Sequence, residues 1–289
     1  MRYLITGITG SLGKALLKQI LKSRGSTVTG ISRNEHLQWK LKHELDDKRV
    51  TFVTADICNP DTYSKYLNGI DILIHTAALK HVESANMDEY VRINQEGTKK
   101  LFALAPDVRK ILISTDKACE PSSVYGYTKA LAESIALNHG QRVVRLGNFT
   151  VSHGNLLELF DMKDPQCYCA GMTRFFETTE KIANFILERT VGAEWKGICV
   201  PKMKTAVIGD IFEAYNKPID DLGWFRHGEK MHETLVSDTD RPVWDMGDWY
   251  FIGERAKSYQ EGKMKKGFTY KSNKNKQMWM LEGIREWKQ

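Results

Sequence analysis

Four side chains capable of acid–base chemistry stand within fourteen residues: Asp116, Lys117, Tyr125 and Lys129. They follow an apolar run that predicts a buried strand. Tyr125 and Lys129 are four residues apart, so a helix beginning there would present both on one face. A nearby ammonium lowers the pKa of a phenol, which would make Tyr125 a base for an alcohol proton. The additional acid and amine exceed what alcohol oxidation needs, and they indicate oxidation coupled to elimination.

A glycine-rich turn near the amino-terminus predicts a nucleotide site. Gly7, Gly10 and Gly13 form the pattern G-x-x-G-x-x-G between a predicted strand at 2–7 and a helical run near 12–23. Glycines permit a tight turn, and they let backbone N–H groups approach a pyrophosphate at the amino end of the helix. The predicted contacts of this turn are Thr6, Gly7, Gly10, Ser11, Leu12 and Gly13.

The end of the second predicted strand carries Ser32 and Arg33 rather than an acid. An acid there would hold the ribose 2′-hydroxyl of NAD, whereas an arginine suits a 2′-phosphate, so NADP is favoured. A solvated surface arginine is the alternative reading of Arg33. The predicted cofactor site is completed by Asp56 and Ile57 after the third strand, Ala77 and Ala78 after the fourth, and Tyr125 and Lys129.

The first half of the chain alternates strand-like and helix-like segments. This pattern predicts an α/β fold, a Rossmann-like doubly wound parallel sheet with helices on both faces. The predicted strands are 2–7, 27–32, 50–55, 71–77, 109–115 and 142–147, and the predicted helices or helix remnants are 12–23, 35–46, 60–68, 88–104 and 123–138.

Three regions follow from this pattern. Residues 1–148 form the predicted Rossmann domain. Residues 149–255 form a small C-terminal substrate-binding lobe with a helix near 178–190, and a strand at 197–201 rejoins the main sheet. Residues 256–289 form a lysine-rich C-terminal segment.

Charge and composition restrict the possible partners. The net charge of +6 comes from 256–276, which hold seven lysines and one acid, while the rest of the chain is balanced. We expect a solvated, partly mobile tail rather than a nucleic-acid or anionic-surface site. No run of eighteen apolar residues predicts a membrane span, and the first strand leaves no room for a signal peptide. Five cysteines, few and odd in number, predict a reduced cytoplasmic setting and no metal site.

The glycines together with Tyr125 and Lys129 resemble the extended short-chain dehydrogenase/reductase superfamily. Further stretches narrow the resemblance: 75–83, 114–118, 144–148, 172–176, 200–202 and 228–235. Together they resemble UDP-N-acetylglucosamine 4,6-dehydratases, especially the C5-inverting type that opens pseudaminic acid biosynthesis. The resemblance covers roughly residues 1–240 and lies in both predicted lobes.

The resemblance implies a role for each catalytic residue. Tyr125 would take the C4 hydroxyl proton while hydride passes to NADP, and Thr115 would orient the same alcohol. Lys117 would remove the C5 hydrogen, Asp116 would protonate the departing C6 hydroxyl, and hydride would return to C6. Glucose-type relatives carry Asp-Glu where this chain has Asp116-Lys117. A base role requires a partly neutral Lys117, so we expect its pKa to be lowered by burial or by Lys129.

The same resemblance implies a nucleotide-sugar substrate, UDP-N-acetylglucosamine, contacted by Asn148. Weaker candidates for substrate contacts are Lys80, Thr173, Arg174, Arg226 and Glu229. The cationic side chains among them could neutralise a diphosphate. Each of these, taken singly, is almost as readily a structural or surface residue. The resemblance also implies a homo-oligomer assembled through the helices at 88–104 and 123–138.

The segment after Asn148 departs from the family pattern. A glycine-rich stretch is expected there, yet the chain reads Phe149–Gly154 and reaches Met172 early. The exact sugar and the outcome at C5, inversion or retention, therefore stay open. A nucleotide-sugar 4-epimerase would need Tyr125 and Thr115 but not Asp116 and Lys117. A non-catalytic NADP-binding sensor or scaffold is the alternative from another class.

Overall fold

A ten-stranded sheet forms the centre of the part of the protein that the computed structural model describes. The description covers all residues except 81–85, 151–166, 168, 193, 225–226, 255–261 and 289. The strands of the described residues are β1 (Arg2–Thr6), β2 (Thr27–Ser32), β3 (Val50–Thr54), β4 (Ile72–His75), β5 (Arg109–Thr115), β6 (Arg142–Leu146), β7 (Asn148–Phe149), β8 (Thr173–Glu177), β9 (Gly197–Pro201), β10 (Lys204–Val207), β11 (Thr234–Val236), β12 (Val243–Asp245), β13 (Trp249–Ile252), β14 (Lys263–Lys265) and β15 (Tyr270–Lys271).

Six strands of this sheet run parallel in the order β3-β2-β1-β4-β5-β6, which is the Rossmann order. β9 continues the parallel sheet beside β6, and β13, β12 and β14 extend it antiparallel. The predicted Rossmann-like fold is therefore confirmed. Strands from 197–265, beyond the predicted first domain, also belong to this sheet.

Helices cover the sheet on both faces, as the alternating pattern predicted. α1 packs against α6, and α5 packs against β5, β6 and α4. The helices of the described residues are α1 (Ser11–Leu21), α2 (Glu35–Leu45), α3 (Met87–Tyr90), α4 (Thr98–Ala103), α5 (Val124–Asn138), α6 (Thr179–Thr190), α7 (Ile208–Ala214) and α8 (Leu281–Arg285). A π-helical stretch at Val91–Gly97 joins α3 to α4, and two short 3₁₀ turns, Pro60–Thr62 and Ser64–Leu67, stand where a helix remnant was predicted.

Local side chains decide where several helices begin. The Asn34 side chain accepts a hydrogen bond from the Leu37 amide at 2.9 Å and starts α2. Ser123 does the same for α5 through the Gly126 amide at 3.2 Å. Such caps satisfy amides that the first helical turn leaves without partners. The cap at Ser123 matters for function because it sets the position of Tyr125, two residues later.

A second apolar cluster lies away from the large sheet and supports the smaller lobe. It combines residues of β8 and α7 with the end of the chain, including Phe176, Phe212, Ile284 and Trp287. The small sheet β10-β8-β7 and the pair β11-β15 complete this region. Because β7 directly follows β6, the lobe adjoins the carboxyl edge of the parallel sheet.

The expectation of a solvated C-terminal tail is wrong for the described residues 263–287. Tyr270, Ser272, Ile284 and Trp287 are buried, and Trp287 packs on Phe176 with ring centroids 5.0 Å apart. The lysines of this segment stay largely at the surface, where Lys265 pairs with Asp245. Lysine content suggested solvation, but the aromatic and aliphatic residues in the same segment bury enough apolar surface to dock it.

Among the described residues, no helix combines the length and the apolar character needed to span a membrane.

Candidate active site

A cavity of about 890 Å³ opens at the carboxyl ends of the parallel strands. This is the edge where open α/β sheets bind ligands. The cavity is lined by these residues that the sequence selected: Gly7, Gly10, Ser11, Leu12, Gly13, Ser32, Arg33, Asp56, Ile57, Ala77, Ala78, Lys80, Thr115, Lys117, Tyr125, Lys129 and Asn148. The structure thus brings the predicted cofactor turn and most of the predicted catalytic group to one space.

Five of the selected residues do not line the cavity. Asp116 lies buried beside the lining residues Thr115 and Lys117. Arg226 lies outside the described residues. The other four that do not line the cavity are Thr6, Thr173, Arg174 and Glu229.

The glycine turn leaves room only for backbone. Gly7 has φ +71°, and a Cβ on it would stand 2.7 Å from Thr76 Oγ1 and 2.9 Å from the Ala77 nitrogen. A Cβ on Gly13 would stand 2.4 Å from the Gly7 carbonyl oxygen. α1 follows at Ser11, and the residue before it, Gly10, offers no side-chain cap. The shape and the helix dipole suit the pyrophosphate of a dinucleotide, so the residues present fit the predicted cofactor.

Two charged side chains, Arg33 and Asp56, line the cavity. Arg33 is exposed on its wall. Asp56 accepts hydrogen bonds from the Cys58 amide at 2.9 Å and from Arg92 Nη1 at 3.1 Å. Burial opposes ionisation of Asp56, but these bonds outweigh it and lower its pKa. Asp56 is therefore a fixed carboxylate at the wall, whereas the Arg33 guanidinium is exposed.

Thr6 does not line the cavity, but it holds residues that do. Its side chain is buried, with Oγ1 2.7 Å from His75 Nδ1, and it accepts a bond from the Ala77 amide at 3.3 Å. Burial and the charge of Lys129 lower the pKa of His75 to about 3, so this imidazole is neutral. Thr6 and His75 hold the ends of β1 and β4 together, which places Ala77 at the cavity wall.

Tyr125 and Lys129 occupy the first two turns of α5. Lys129 Nζ donates to the Ile113 carbonyl at 2.7 Å, and burial lowers its pKa to about 8. Burial raises the pKa of Tyr125 to about 12, against the opposing effects of Lys117 and a hydrogen bond with Thr115. The expected lowering of the phenol pKa is thus wrong in this structure, because desolvation outweighs the neighbouring charge.

Asp116 and Lys117 form a 3₁₀ turn directly after β5. Asp116 Oδ1 accepts from Thr115 Oγ1 at 2.9 Å and from Lys117 Nζ at 3.0 Å. Its other oxygen, Oδ2, is buried with no hydrogen-bond partner among the described residues. Burial and the charge of Glu233 raise the pKa of Asp116, although Lys117 opposes the shift. A carboxyl whose pKa is raised accepts a proton more readily, and this suits it to act as an acid.

Lys117 differs from the expectation. Burial disfavours its ammonium, yet Asp116 and Glu233 outweigh burial and raise the pKa of Lys117. The predicted lowering is wrong because the sequence could not show a second carboxylate beside this amine. Glu233 Oε1 lies 3.4 Å from Lys117 Nζ.

Glu233 is the principal residue that sequence reasoning missed. It is 2% exposed and faces three cations, with Lys117 and Lys230 Nζ at 3.4 Å and Arg174 Nε at 3.8 Å. Burial opposes its charge, but these cations lower the pKa of Glu233 to about 2. The only sequence signal was its place in 228–235, a stretch quoted for family resemblance, just before β11.

The candidate substrate residues fall into two groups. Lys80 and Asn148 line the cavity, and Asn148 Nδ2 donates to the Phe175 carbonyl at 3.2 Å. Arg174 and Thr173 are buried in the lobe, where Thr173 Oγ1 lies 2.8 Å from His232 Nδ1. Arg174 pairs with Glu229 at 3.6 Å. These contacts give Arg174 and Thr173 a supporting place around Glu233 rather than one on the cavity wall.

Comparison with known proteins agrees with this geometry. Residues 3–253 match the family described as polysaccharide biosynthesis protein. The chain belongs to this family. Three relatives are similar to this chain over most of their own length. A Methanocaldococcus jannaschii protein named only as an uncharacterized membrane protein is 32% identical over 81% of this chain and 79% of its own.

Two relatives carry enzyme names. An inverting UDP-N-acetylglucosamine 4,6-dehydratase of Campylobacter jejuni subsp. jejuni serotype O:2 is 30% identical over 96% of this chain and 94% of its own. A UDP-glucose 4-epimerase of Rickettsia canadensis is 30% identical over 91% and 87%. The X-ray structure of Pen from Bacillus thuringiensis superposes with a TM-score of 0.90 and 25% identity, over 99% of this chain and 96% of that one.

Proposed function

We propose that this polysaccharide biosynthesis family member is an NADP-dependent nucleotide-sugar 4,6-dehydratase that acts on UDP-N-acetylglucosamine. The observation that supports the proposal is that Lys117 lines the cavity together with Tyr125 and Lys129, while the buried Asp116 lies 3.0 Å from the Lys117 amine. Alcohol oxidation alone would need only Tyr125 and Lys129. The dehydratase relative at 30% identity supports the same assignment.

The first half of the reaction is the oxidation at C4, in which Tyr125 acts as the base. When bound, the nicotinamide supplies acceptance and return of a hydride. Tyr125 and Thr115 hold the C4 hydroxyl, and the phenolate form of Tyr125 takes its proton as C4 becomes a ketone. Burial keeps this form a minority near neutral pH, because it raises the pKa of Tyr125 to about 12. Lys129, held by the Ile113 carbonyl, has a pKa of about 8 and therefore stays largely charged at the cavity wall near neutral pH.

Asp116 and Lys117, in the turn after β5, carry out the second half of the reaction. The C4 ketone acidifies the hydrogen on C5, which Lys117 removes. Asp116, whose pKa is raised, gives its proton to the C6 hydroxyl, which leaves as water. The proton on Lys117 then returns to C5, which restores Lys117. Asp116 regains a proton from solvent, equivalent to the one that Tyr125 took from the C4 hydroxyl and releases to solvent. Whether the return inverts C5 depends on the sugar pose. The segment after Asn148, which the family resemblance implies would shape that pose, lies largely outside the described residues.

The preference for NADP rests on Arg33. It lies on the cavity wall after β2, where a ribose 2′-substituent would stand, and it is exposed. A guanidinium binds a phosphate through charge-assisted hydrogen bonds that a ribose hydroxyl does not form.

Incubation with NADP and UDP-N-acetylglucosamine, followed by mass spectrometry, tests the function. Loss of water from the sugar supports the dehydratase. An unchanged mass with an altered sugar identifies an epimerase, the function named for the Rickettsia relative. Tight NADP binding without turnover identifies a sensor.

Lys117→Ala tests the assigned base. We expect this variant to lose incorporation of solvent deuterium at C5 because no other amine replaces Lys117 at the turn. Lys99→Ala, which removes an exposed lysine of α4, should retain it. Deuterium incorporation at C5 by Lys117→Ala at the wild-type rate would contradict the assignment.

We also propose that the protein is a cytoplasmic homo-oligomer that assembles through the helices predicted at 88–104 and 123–138, which in the structure run from Met87 to Ala103 and from Val124 to Asn138. Large apolar side chains are exposed on them, with Met87 at 62%, Tyr127 at 57% and Leu131 at 46%. Such patches are typical of protein–protein interfaces. All five cysteines are free, which suits a reducing compartment.

A further inference from the structure

A buried carboxylate from the smaller lobe reaches the catalytic turn of the Rossmann sheet. Glu233, just before β11, brings Oε1 within 3.4 Å of Lys117 Nζ, on which Asp116 Oδ1 also lies at 3.0 Å. Lys117 therefore stands between two carboxylates from different parts of the fold. Lys117 lines the cavity whereas Glu233 does not, so Glu233 would act on the substrate only through Lys117.

The loop that carries Glu233 is tied firmly to the catalytic turn. Lys230 Nζ donates to the carbonyls of Cys119 and Glu120 at 3.0 Å each. The Glu233 amide donates to Ser272 Oγ at 2.9 Å. The carboxylate is held between these anchors, and its position relative to Lys117 does not depend on a long, mobile side chain alone.

We propose that Glu233 is a positioning residue that keeps one shared proton on the Asp116–Lys117 pair, so that a single internal transfer creates both the base and the acid of the elimination. This inference rests on the proposed dehydratase function. The transfer runs from Lys117 Nζ to Asp116 Oδ1 along their 3.0 Å hydrogen bond. It turns an ammonium and a carboxylate into a neutral amine and a carboxylic acid.

The proton balance of the elimination closes on this pair. The neutral amine of Lys117 takes the C5 proton as the C5–C6 double bond forms. The C6–O bond breaks, and the proton on Asp116 joins the departing hydroxyl to make water. Lys117 is then an ammonium again and Asp116 a carboxylate. The water-loss step therefore needs no proton from solvent.

The charges around the pair agree with this role. Glu233 raises the pKa of both Asp116 and Lys117, so the pair retains its proton across neutral pH. Arg174 faces Lys117 and Glu233, Lys230 faces Glu233, and the Tyr125 phenol lies near Lys117. Removal of the Glu233 charge leaves these cations uncompensated, which lowers the proton affinity of the pair further.

The test is the pH profile of water loss at saturating substrate, measured for the full chain with NADP. The rate of water loss by the wild type should depend on pH with a bell-shaped profile, because the Asp116–Lys117 pair is inactive with two protons and with none. Glu233→Gln should move both limbs to lower pH by roughly one to three units, the usual effect of a single nearby charge. Glu233→Asp keeps the charge and should restore limbs near those of the wild type.

A matched control is Glu177→Gln. Glu177 is also a buried lobe carboxylate paired with a lysine, Lys181 at 2.5 Å, but it does not contact Lys117. Its limbs should coincide with those of the wild type. Limbs of Glu233→Gln that coincide with those of Glu177→Gln would overturn the inference. A wild type that loses no water would instead overturn the proposed function.

A second measurement decides the matter if Glu233→Gln does not fold. In the wild type with ¹⁵N-labelled lysine, the Lys117 signal is assigned by its loss in Lys117→Ala. The inference requires this amine to keep its proton above the ordinary lysine pKa of about 10.4. Titration at or below that value would overturn it.

Discussion

At the scale of single residues, environment rather than residue type sets the chemistry of this site. Lys117 and Lys129 both line the cavity, yet their pKa values move in opposite directions. Two carboxylates face Lys117 and hold its proton. Lys129 meets mainly desolvation and a carbonyl oxygen, so its pKa falls to about 8. The same functional group thus meets opposite electrostatic conditions at the two positions.

Arg33→Asp tests cofactor choice at this scale. We expect the Kd for NADP to rise at least about tenfold, because a charge-assisted bond to phosphate is replaced by repulsion. Binding of NAD should be retained or improved, since an acid suits the ribose hydroxyls. Arg24→Asp, at an exposed position that does not line the cavity, is the control for both cofactors. An equal loss for NAD and NADP, or no loss, would contradict the NADP assignment.

At the scale of elements, the catalytic group depends on how closely α5 approaches the turn after β5. Gly126 makes that approach possible, because a Cβ there would stand 2.4 Å from the Lys117 carbonyl oxygen and 3.2 Å from Pro121 Cβ. A buried ion pair holds the next part of the same helix against β6, with Glu133 Oε2 2.7 Å from Arg145 Nη2. Gly126 was visible in the sequence only as the residue between Tyr125 and Tyr127.

Gly126→Ala should therefore separate Tyr125 from the Asp116–Lys117 turn. We expect about 1–3 kcal/mol of destabilisation from overpacking. The rate of water loss should fall by about two orders of magnitude, as expected for a displacement near 1 Å. Gly192→Ala, where nothing lies within 4 Å of the added methyl, is the matched control. Chemical denaturation and turnover measure the two effects, and wild-type turnover by Gly126→Ala would refute this account of α5.

At the scale of the whole molecule, α5 contributes residues to the candidate active site on one face and exposes apolar side chains on the other. The buried face of α5 carries Lys129 and Glu133. Its opposite face exposes Val124, Tyr127 and Leu131, at helical spacing. An interface on this face would hold α5 from outside, while the ion pair with Arg145 holds it from inside.

Leu131→Glu tests the proposed assembly. The wild type should have the mass of a dimer or larger species by light scattering, and Leu131→Glu should shift it to the monomer, because the charge would be buried in the interface. Leu37→Glu adds the same charge at an exposed leucine of α2 and should leave the assembly unchanged. A monomeric wild type would rule out the proposed homo-oligomer.

The sequence by itself predicted most of the nucleotide half of this protein. The strands at 27–32, 109–115 and 197–201 match the predicted bounds, because short apolar runs separated by helices leave few other arrangements. The glycine turn was equally readable, since only glycine fits Gly7 and Gly13 so close to backbone. The candidate catalytic residues were selected by their spacing and by their place after a strand.

Only the tertiary structure decided the charge state of those residues. Glu233 lies 116 positions after Lys117 along the chain, and no local pattern predicts that the two meet. Their contact reverses the expected pKa shift of Lys117, just as burial reverses that of Tyr125. Spacing reports which groups share a helix or a turn. Desolvation and long-range charge depend on what the rest of the fold packs against them, and here that is the smaller lobe.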